Sequence, residues 1–285
     1  MFKNILIPIS SEYYKKEVFR TGAFLANKFD SQINIIYIIE EKTLIQTDKF
    51  SDTYRTPQDM VKTKKEIVRK YIQSADRIIF NEAKHYFKNR EIDVKVEIIK
   101  GEFSTVIKNQ LEKKTYDLIL MGFEKECLLN YRLFNEVKVP IWVEAGNKGD
   151  SILAICSNLA PNKKVPDISI SLSKALGWNL DMLYIVDTQD SVEVDEYGTR
   201  SEKKPTKILT EKGEKFIFEM QKKGINIQLK TGSLEKETTK AAAEFGSKLV
   251  VIGREQKKKR LMSLSTKSLK RKMAEKCKYS LFFIN

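Results

Sequence analysis

Few residues in this chain could carry chemistry, and histidine is the scarcest of them. The 285 residues include one histidine, His85, in the charged and helical stretch NEAKHYFKNR. Its simplest role is that of a solvated helix residue, so we expect neither a histidine-based catalytic triad nor a multi-histidine zinc site. The three cysteines are far apart and odd in number, which fits neither a metal-binding spacing nor a disulfide framework (Cys127, Cys156 and Cys277). The remaining classes are binding, regulation, or catalysis by lysine, carboxylate or a bound metal, and the cysteine pattern indicates a reducing, cytoplasmic location.

Positive charge is concentrated in one segment of the second half. The chain has a net charge of +14, and eleven basic but only two acidic side chains lie between Arg254 and Lys278. We expect an anion site there, formed by basic side chains of this segment (Lys257, Lys258, Arg260 and Lys267). Its ligand would be a phosphate-bearing molecule or a nucleic-acid backbone. The alternative is a solvated, lysine-rich surface, and the absence of aromatic residues among the lysines argues against base stacking.

A run of carboxylates, DTQDSVEVDE, occupies residues 187–196. Carboxylate oxygens are suitable ligands for divalent cations. The run lacks the glycine and the spacing of a calcium-binding loop, and a solvated loop is the simpler interpretation. We therefore predict no metal site.

The chain repeats itself, and the repeat indicates how these residues are arranged. Four pieces of the first half return in the same order in the second half. They are NILIPISSE (4–12) and SILAICSN (151–158), INIIYIIEE (33–41) and LDMLYIVDT (180–188), the region 92–123 and the region 225–254, and KVPIWVEA (138–145) and KYSLFFIN (278–285). The polar, glycine-containing stretch GNKGDS (146–151) joins the halves. We predict two domains, 1–146 and 152–285.

Within each half, short β-branched runs alternate with longer stretches of helical spacing. Residues 13–28 place Val18, Gly22, Leu25 and Ala26 on one stripe, which is typical of a helix. Runs that are apolar throughout, LILMG and LVVIG, suit strands buried on both faces. This alternation predicts an α/β fold with a parallel sheet. No apolar run approaches the roughly 18–20 residues that span a bilayer, so we expect no membrane insertion.

Four matches, each present twice, carry a resemblance to a known family. They are a first strand (ILIPIS, ILAICS), a second strand ending in Tyr37-Ile38 or Tyr184-Ile185, a glycine after the third strand (Gly101, Gly232), and a fourth strand ending in Met121-Gly122 or Ile252-Gly253. In this order and spacing, the chain resembles a tandem universal stress protein. The resemblance implies two copies of an adenine-nucleotide-hydrolase-like fold. Each would be a five-stranded parallel sheet of order 3-2-1-4-5 flanked by helices.

The family's nucleotide-binding members share a loop after strand four, Gly-x2-Gly-x9-Gly-Ser/Thr, in which backbone N–H groups approach phosphates. In this chain Lys125 and Gln256 replace the second glycine, and Ser10 and Ser157 replace the aspartate that ends the family's first strand. The resemblance implies that any ATP or AMP binds in the second half, at positions that still match (Ser157, Ile185, Gly253 and Ser268). Two simpler roles stay open: Gly253 in a tight turn after its strand, and Ser268 as a helix N-cap.

Our first hypothesis is a non-enzymatic stress-response or regulatory protein made of two such domains, with residual nucleotide or phosphate binding expected in the second. The resemblance also implies that the two domains pair through their last strands, PIWVEA and SLFFIN, with Trp142, Phe282 and Phe283 at or near the junction. A homodimer is a further expectation. The first alternative is a module that binds nucleic acid or an acidic partner through residues 254–278. The second is a nucleotide-hydrolysing enzyme, which would need an intact phosphate loop with an acid or base beside it.

Overall fold

The computed structural model describes residues 1–10, 13–40, 66, 69–70, 73, 82–122, 131–254 and 278–285. The chain divides by its internal contacts into two compact units, Met1–Leu133 and Phe134–Asn285. The strands are β1 (Asn4–Ile9), β2 (Gln32–Ile39), β3 (Val94–Lys100), β4 (Leu118–Met121), β5 (Ile141–Val143), β6 (Ser151–Ser157), β7 (Asn179–Asp187), β8 (Gln228–Gly232), β9 (Leu249–Gly253) and β10 (Ser280–Ile284). The helices are α1 (Lys16–Phe29), α2 (Lys84–Lys88), α3 (Phe103–Lys113), α4 (Tyr131–Glu136), α5 (Val165–Leu176), α6 (Thr206–Lys222) and α7 (Leu234–Glu244).

The first unit is built on parallel strands in the order β3-β2-β1-β4. Strand β1 is apolar and buried, because helix α1 packs on the sheet through its apolar face. That face includes Val18, Gly22, Leu25 and Ala26, which confirms the helical stripe. Gly22 allows the close approach, since a Cβ there would lie 3.0 Å from Cδ1 of Ile7.

The second unit contains the strands β5-β10-β9-β6-β7-β8, in that order. All neighbouring pairs are parallel except β5 and β10, which are antiparallel. Strands β6 and β9 are buried at every residue, as expected for central strands with both faces covered. Helix α5 carries Pro166 in its first turn and ends at Gly177, whose φ of 73° is left-handed and favours glycine.

The antiparallel pair is held by aromatic packing. Trp142 of β5 lies opposite Phe282 of β10, and their ring centroids are 5.8 Å apart. Phe283 packs edge-on against Phe134, with centroids 5.2 Å apart. All four rings are buried. The pairing expected between PIWVEA and SLFFIN is therefore present, and the three aromatic residues assigned to it contribute to it.

The predicted α/β class and strand order are confirmed. In the second half the order β8-β7-β6-β9-β10 is the 3-2-1-4-5 order, and in the first unit β3-β2-β1-β4 follows the same plan. The contact division differs from the sequence repeat because β5 pairs with β10 and so groups with the second unit. The domain bounds 1–146 and 152–285 stay a prediction. No helix among the described residues is long and apolar enough to cross a membrane.

We expect Trp142→Ala to lower the free energy of unfolding by about 3–5 kcal/mol, because it removes a fully buried ring between two strands. Trp178→Ala is the matched control, since the Trp178 ring is only half-buried. Urea unfolding of the full chain, followed by far-UV circular dichroism, measures both losses. Equal losses for the two variants would contradict the packing role of Trp142.

Candidate functional site

The candidate site lies at the carboxyl ends of three adjacent parallel strands in the second unit. Strand β6 ends at Ser157, whose partner in β7 is Ile185, and β9 ends at Gly253. Strands β7 and β9 flank β6 on either side, so the structure brings these three predicted residues to one edge. In open α/β sheets this edge is where ligands bind. The fourth predicted residue, Ser268, lies outside the described residues.

Ser157 is fully buried and is bonded to the loop that follows it. Its hydroxyl oxygen accepts a hydrogen bond from the backbone N–H of Leu159 at 3.2 Å. The amide of Asn162 closes the loop, because its oxygen accepts from the Ser157 N–H and its nitrogen donates to the Ser157 carbonyl, both at 2.9 Å. The serine that stands where the family has aspartate therefore holds a loop in this structure.

Gly253 is in contact with the same loop. A Cβ at residue 253 would lie 1.8 Å from the carbonyl oxygen of Pro161, a distance that no side chain could occupy. The backbone of the β6–α5 loop, residues 158–164, thus lies directly against the end of β9. The need for glycine at this position follows from that backbone contact alone.

Asn158 is a site residue that the sequence analysis did not identify. It is buried, and its amide nitrogen donates to the carbonyls of Asp187 at 3.3 Å and Val192 at 2.7 Å. Its amide oxygen accepts from the N–H of Asp187 at 2.7 Å. One side chain therefore ties the end of β6 to the end of β7 and to the loop beyond. Its sequence signal was its place directly after a buried strand.

Asp187, which ends β7, is the second such residue. Its carboxylate is buried and accepts from the backbone N–H of Leu234 at 2.7 Å, at the start of α7. It also accepts from the N–H groups of Gln189 at 2.9 Å and Asp190 at 2.8 Å. A negative charge is favourable at a helix N-terminus, where backbone N–H groups have no partner within the helix. The carboxylate is thus compensated entirely by main-chain donors among the described residues.

The acidic run after β7 forms a loop whose carboxylates are bonded within the chain. Asp195 accepts from the N–H groups of Tyr197 and Thr199, at 2.9 and 2.7 Å. The ion pairs are Arg200–Asp190, Lys163–Glu196, Lys204–Glu193 and Lys212–Glu193. Within the described ranges, no group of histidine, cysteine and acidic side chains could hold a metal ion.

Partial burial acts to raise the pKa of Glu193, but hydrogen bonds and charge from Lys204 and Lys212 outweigh it, and the pKa lies below the ordinary glutamate value. The three side chains connect the loop 188–204 to helix α6. Because the folded-state pKa is lowered, the stabilisation is present above the unfolded-state pKa and is lost as the pH falls through the folded-state value.

The first half shows a related arrangement at its own carboxyl edge. The Ser10 hydroxyl accepts from the backbone N–H of Tyr13 at 3.2 Å. A Cβ at Gly122 would lie 2.6 Å from Cβ of Lys15, so the chain also approaches this edge closely. Lys125 lies outside the described residues, as do Gln256 and the four residues of the predicted anion site (Lys257, Lys258, Arg260 and Lys267). Their assignment stays a prediction.

We expect Gly253→Ala to destabilise the protein by about 3 kcal/mol, because the new methyl group forces the Pro161 backbone away. Gly177→Ala is the matched control: its Cβ would meet nothing within 4 Å, and only the left-handed φ is strained, at a cost of about 1 kcal/mol. Urea unfolding gives both values. A smaller loss at residue 253 than at residue 177 would contradict the close approach of the loop.

We expect Glu193→Gln to loosen the loop 188–204 at neutral pH by under about 1 kcal/mol, since these are partly exposed ion pairs. Hydrogen exchange at the amides of Val194, Ser201 and Lys204 reports the change, because the last two donate to carbonyls within the loop and Val194 ties the loop to the carbonyl of Asn158. Glu219→Gln is the control, as it breaks only the Lys222 pair on α6. In the wild-type protein the same amides should lose protection when the pH falls below the ordinary glutamate range. Unchanged protection in Glu193→Gln would show that the ion pairs do not hold the loop.

Comparison with known proteins identifies the fold and the family. The chain is similar over 99% of its length to a putative universal stress protein from Pseudomonas aeruginosa UCBPP-PA14, with a TM-score of 0.62, 9% identity and 93% of that chain covered. It is also similar over 99% of its length to a universal stress protein from Archaeoglobus fulgidus DSM 4304, with a TM-score of 0.53, 13% identity and 96% of that chain covered.

No curated protein matches the sequence. At these identities the structures show the fold alone, whereas the model of the universal stress protein family matches residues 1–141. Through that match residues 1–141 belong to the universal stress protein family, and the length of the chain and the ten strands in its described part are consistent with a tandem form.

Proposed function

We propose that this protein acts in the stress response by binding and regulation, without catalysing a reaction. Family membership supports the stress-response role. The non-enzymatic part rests on one observation: the polar side chains that end β6 and β7 are buried and bonded to the main chain (Ser157, Asn158 and Asp187).

A general acid or base must exchange a proton with a substrate within hydrogen-bond reach. The Asp187 carboxylate is buried and already accepts three backbone N–H groups. The Ser157 hydroxyl is fully buried and accepts from Leu159 within its own loop. Neither group is placed to serve a substrate, which favours a binding role over hydrolysis.

The proposal also includes residual binding of ATP or AMP in the second half of the chain. A nucleotide that approached the backbone of Gly253 would meet the Pro161 carbonyl, which already lies against this glycine. The loop 158–164 would therefore have to move, and the free energy needed to move it would weaken nucleotide binding. We accordingly propose weak binding, with a Kd above about 0.1 mM.

The loop offers a direct test through Asn162. Asn162→Ala removes both hydrogen bonds that close the loop on Ser157, so it should strengthen ATP binding several-fold. Asn147→Ala is the matched control, because Asn147 bonds the carbonyls of Ser247 and Lys248 at the opposite ends of the strands. Isothermal titration with ATP and AMP measures binding in the full chain, and a phosphate-release assay measures turnover.

We expect no phosphate release above the buffer control from any of these proteins. Turnover that is lost in Ser157→Ala would identify an enzyme and overturn the proposal. Tight nucleotide binding that Asn162→Ala does not change would contradict the role of the loop.

Two further parts of the proposal rest on the sequence. A cytoplasmic location follows from the cysteine pattern, and a homodimer from the family resemblance. The alternative role, binding of a nucleic acid or an acidic partner through residues 254–278, rests on the charge of that segment.

A further inference from the structure

Arg254 is the largest charged side chain buried in the described part of the protein. It follows the last residue of β9 and is 1% exposed. Its backbone N–H donates to the carbonyl of Ile284, which fixes the start of the side chain beside the end of β10. Arg254 is bonded on the β10 side of β9, whereas Ser157 ends β6, which flanks β9 on the opposite side.

The described acceptors for this guanidinium are all neutral. Nε donates to the Asn285 amide oxygen at 2.8 Å. Nη2 donates to the carbonyls of Val137 at 2.8 Å and Val139 at 3.1 Å, and to the Asn285 amide oxygen at 2.5 Å. The Asn285 amide nitrogen in turn donates to the carbonyl of Lys138, so the acceptor itself is held in place.

One edge of the guanidinium is left without an acceptor. Nη1 is buried, carries two N–H groups and bonds to no described atom. No carboxylate in the described ranges forms an ion pair with Arg254. Burial lowers the pKa of Arg254 to about 9.

A buried charge is stable when an opposite charge compensates it, and leaving it uncompensated is strongly unfavourable. The planar guanidinium suits the paired oxygens of an oxyanion, to which it can donate two parallel hydrogen bonds. We propose that Arg254 is the anchor of an oxyanion site of the phosphate class, placed between the end of β9 and the α4–β5 connection. Val137, Val139 and Asn285 hold the guanidinium so that Nη1 faces the anion.

Inorganic phosphate is the probe, and the full chain is tested at constant ionic strength so that general screening stays the same. The thermal midpoint of the wild-type protein should rise saturably as phosphate replaces chloride, because a ligand that binds only the folded state stabilises it. Arg254→Gln should lose this response. Arg20→Gln, a charge-matched change at an exposed position of α1, should keep it.

A second variant keeps the test decisive if Arg254→Gln does not fold. Asn285→Asp places a carboxylate where the amide oxygen already accepts from Nε and Nη2. The change gives up the amide's hydrogen bond to the Lys138 carbonyl, so its effect on the midpoint without phosphate is not the readout. It should reduce the phosphate response at least twofold, because the counter-charge is then built in. AMP should act like inorganic phosphate if its phosphate group is what Arg254 binds.

Three results would overturn the proposal. A wild-type thermal midpoint that does not change with phosphate would mean that the neutral acceptors, or a carboxylate of the chain itself, are enough to stabilise the Arg254 charge. An Asn285→Asp protein that keeps the full phosphate response would place the anion elsewhere. A response to AMP without one to phosphate would place recognition on the nucleoside. Asn162→Ala should leave the phosphate response unchanged, so this proposal and the nucleotide proposal can fail separately.

Discussion

The carboxyl edge of the second unit depends on the compensation of one buried negative charge, that of Asp187. A carboxylate away from water must find donors, and here three backbone N–H groups supply them. One belongs to Leu234 at the start of α7, and two belong to the loop after β7. A hydrogen bond to a charged group contributes about 1.5–3 kcal/mol, so strand, helix and loop are fixed at a single point.

The neighbouring strand end is fixed by neutral groups in the same way. Asn158 bonds the backbone of Asp187 and Val192, and the loop that it begins brings the Pro161 carbonyl against Gly253. The edge that parallel α/β sheets usually offer to ligands is here lined by the chain's own backbone. The polar side chains at this edge already have partners within the chain.

Buried charges also lie at both ends of the β5–β10 pair, and the two differ in how completely their hydrogen bonds are satisfied. Glu144, at one end, accepts from the Ser280 hydroxyl at 2.9 Å and from the Gly146 N–H at 2.8 Å. Arg254, at the other end, donates to carbonyls and an amide. The neutral partners are common to both charges, but Nη1 of Arg254 has no described acceptor, which is why the external anion is proposed for the guanidinium.

The sequence by itself determined the α/β class, the duplication and the strand order, because strand and helix periodicity are local and the family pattern is repeated along the chain. It also placed Ser157, Ile185 and Gly253 at one edge, since parallel strands end on the same side of a sheet. It missed what these residues do there. The Gly253–Pro161 contact, the Asp187–Leu234 bond across 47 residues and the Arg254–Val137 bond across 117 residues were decided only by the tertiary structure. The physical reason is that such contacts depend on where separate loops cross, and no local pattern records that.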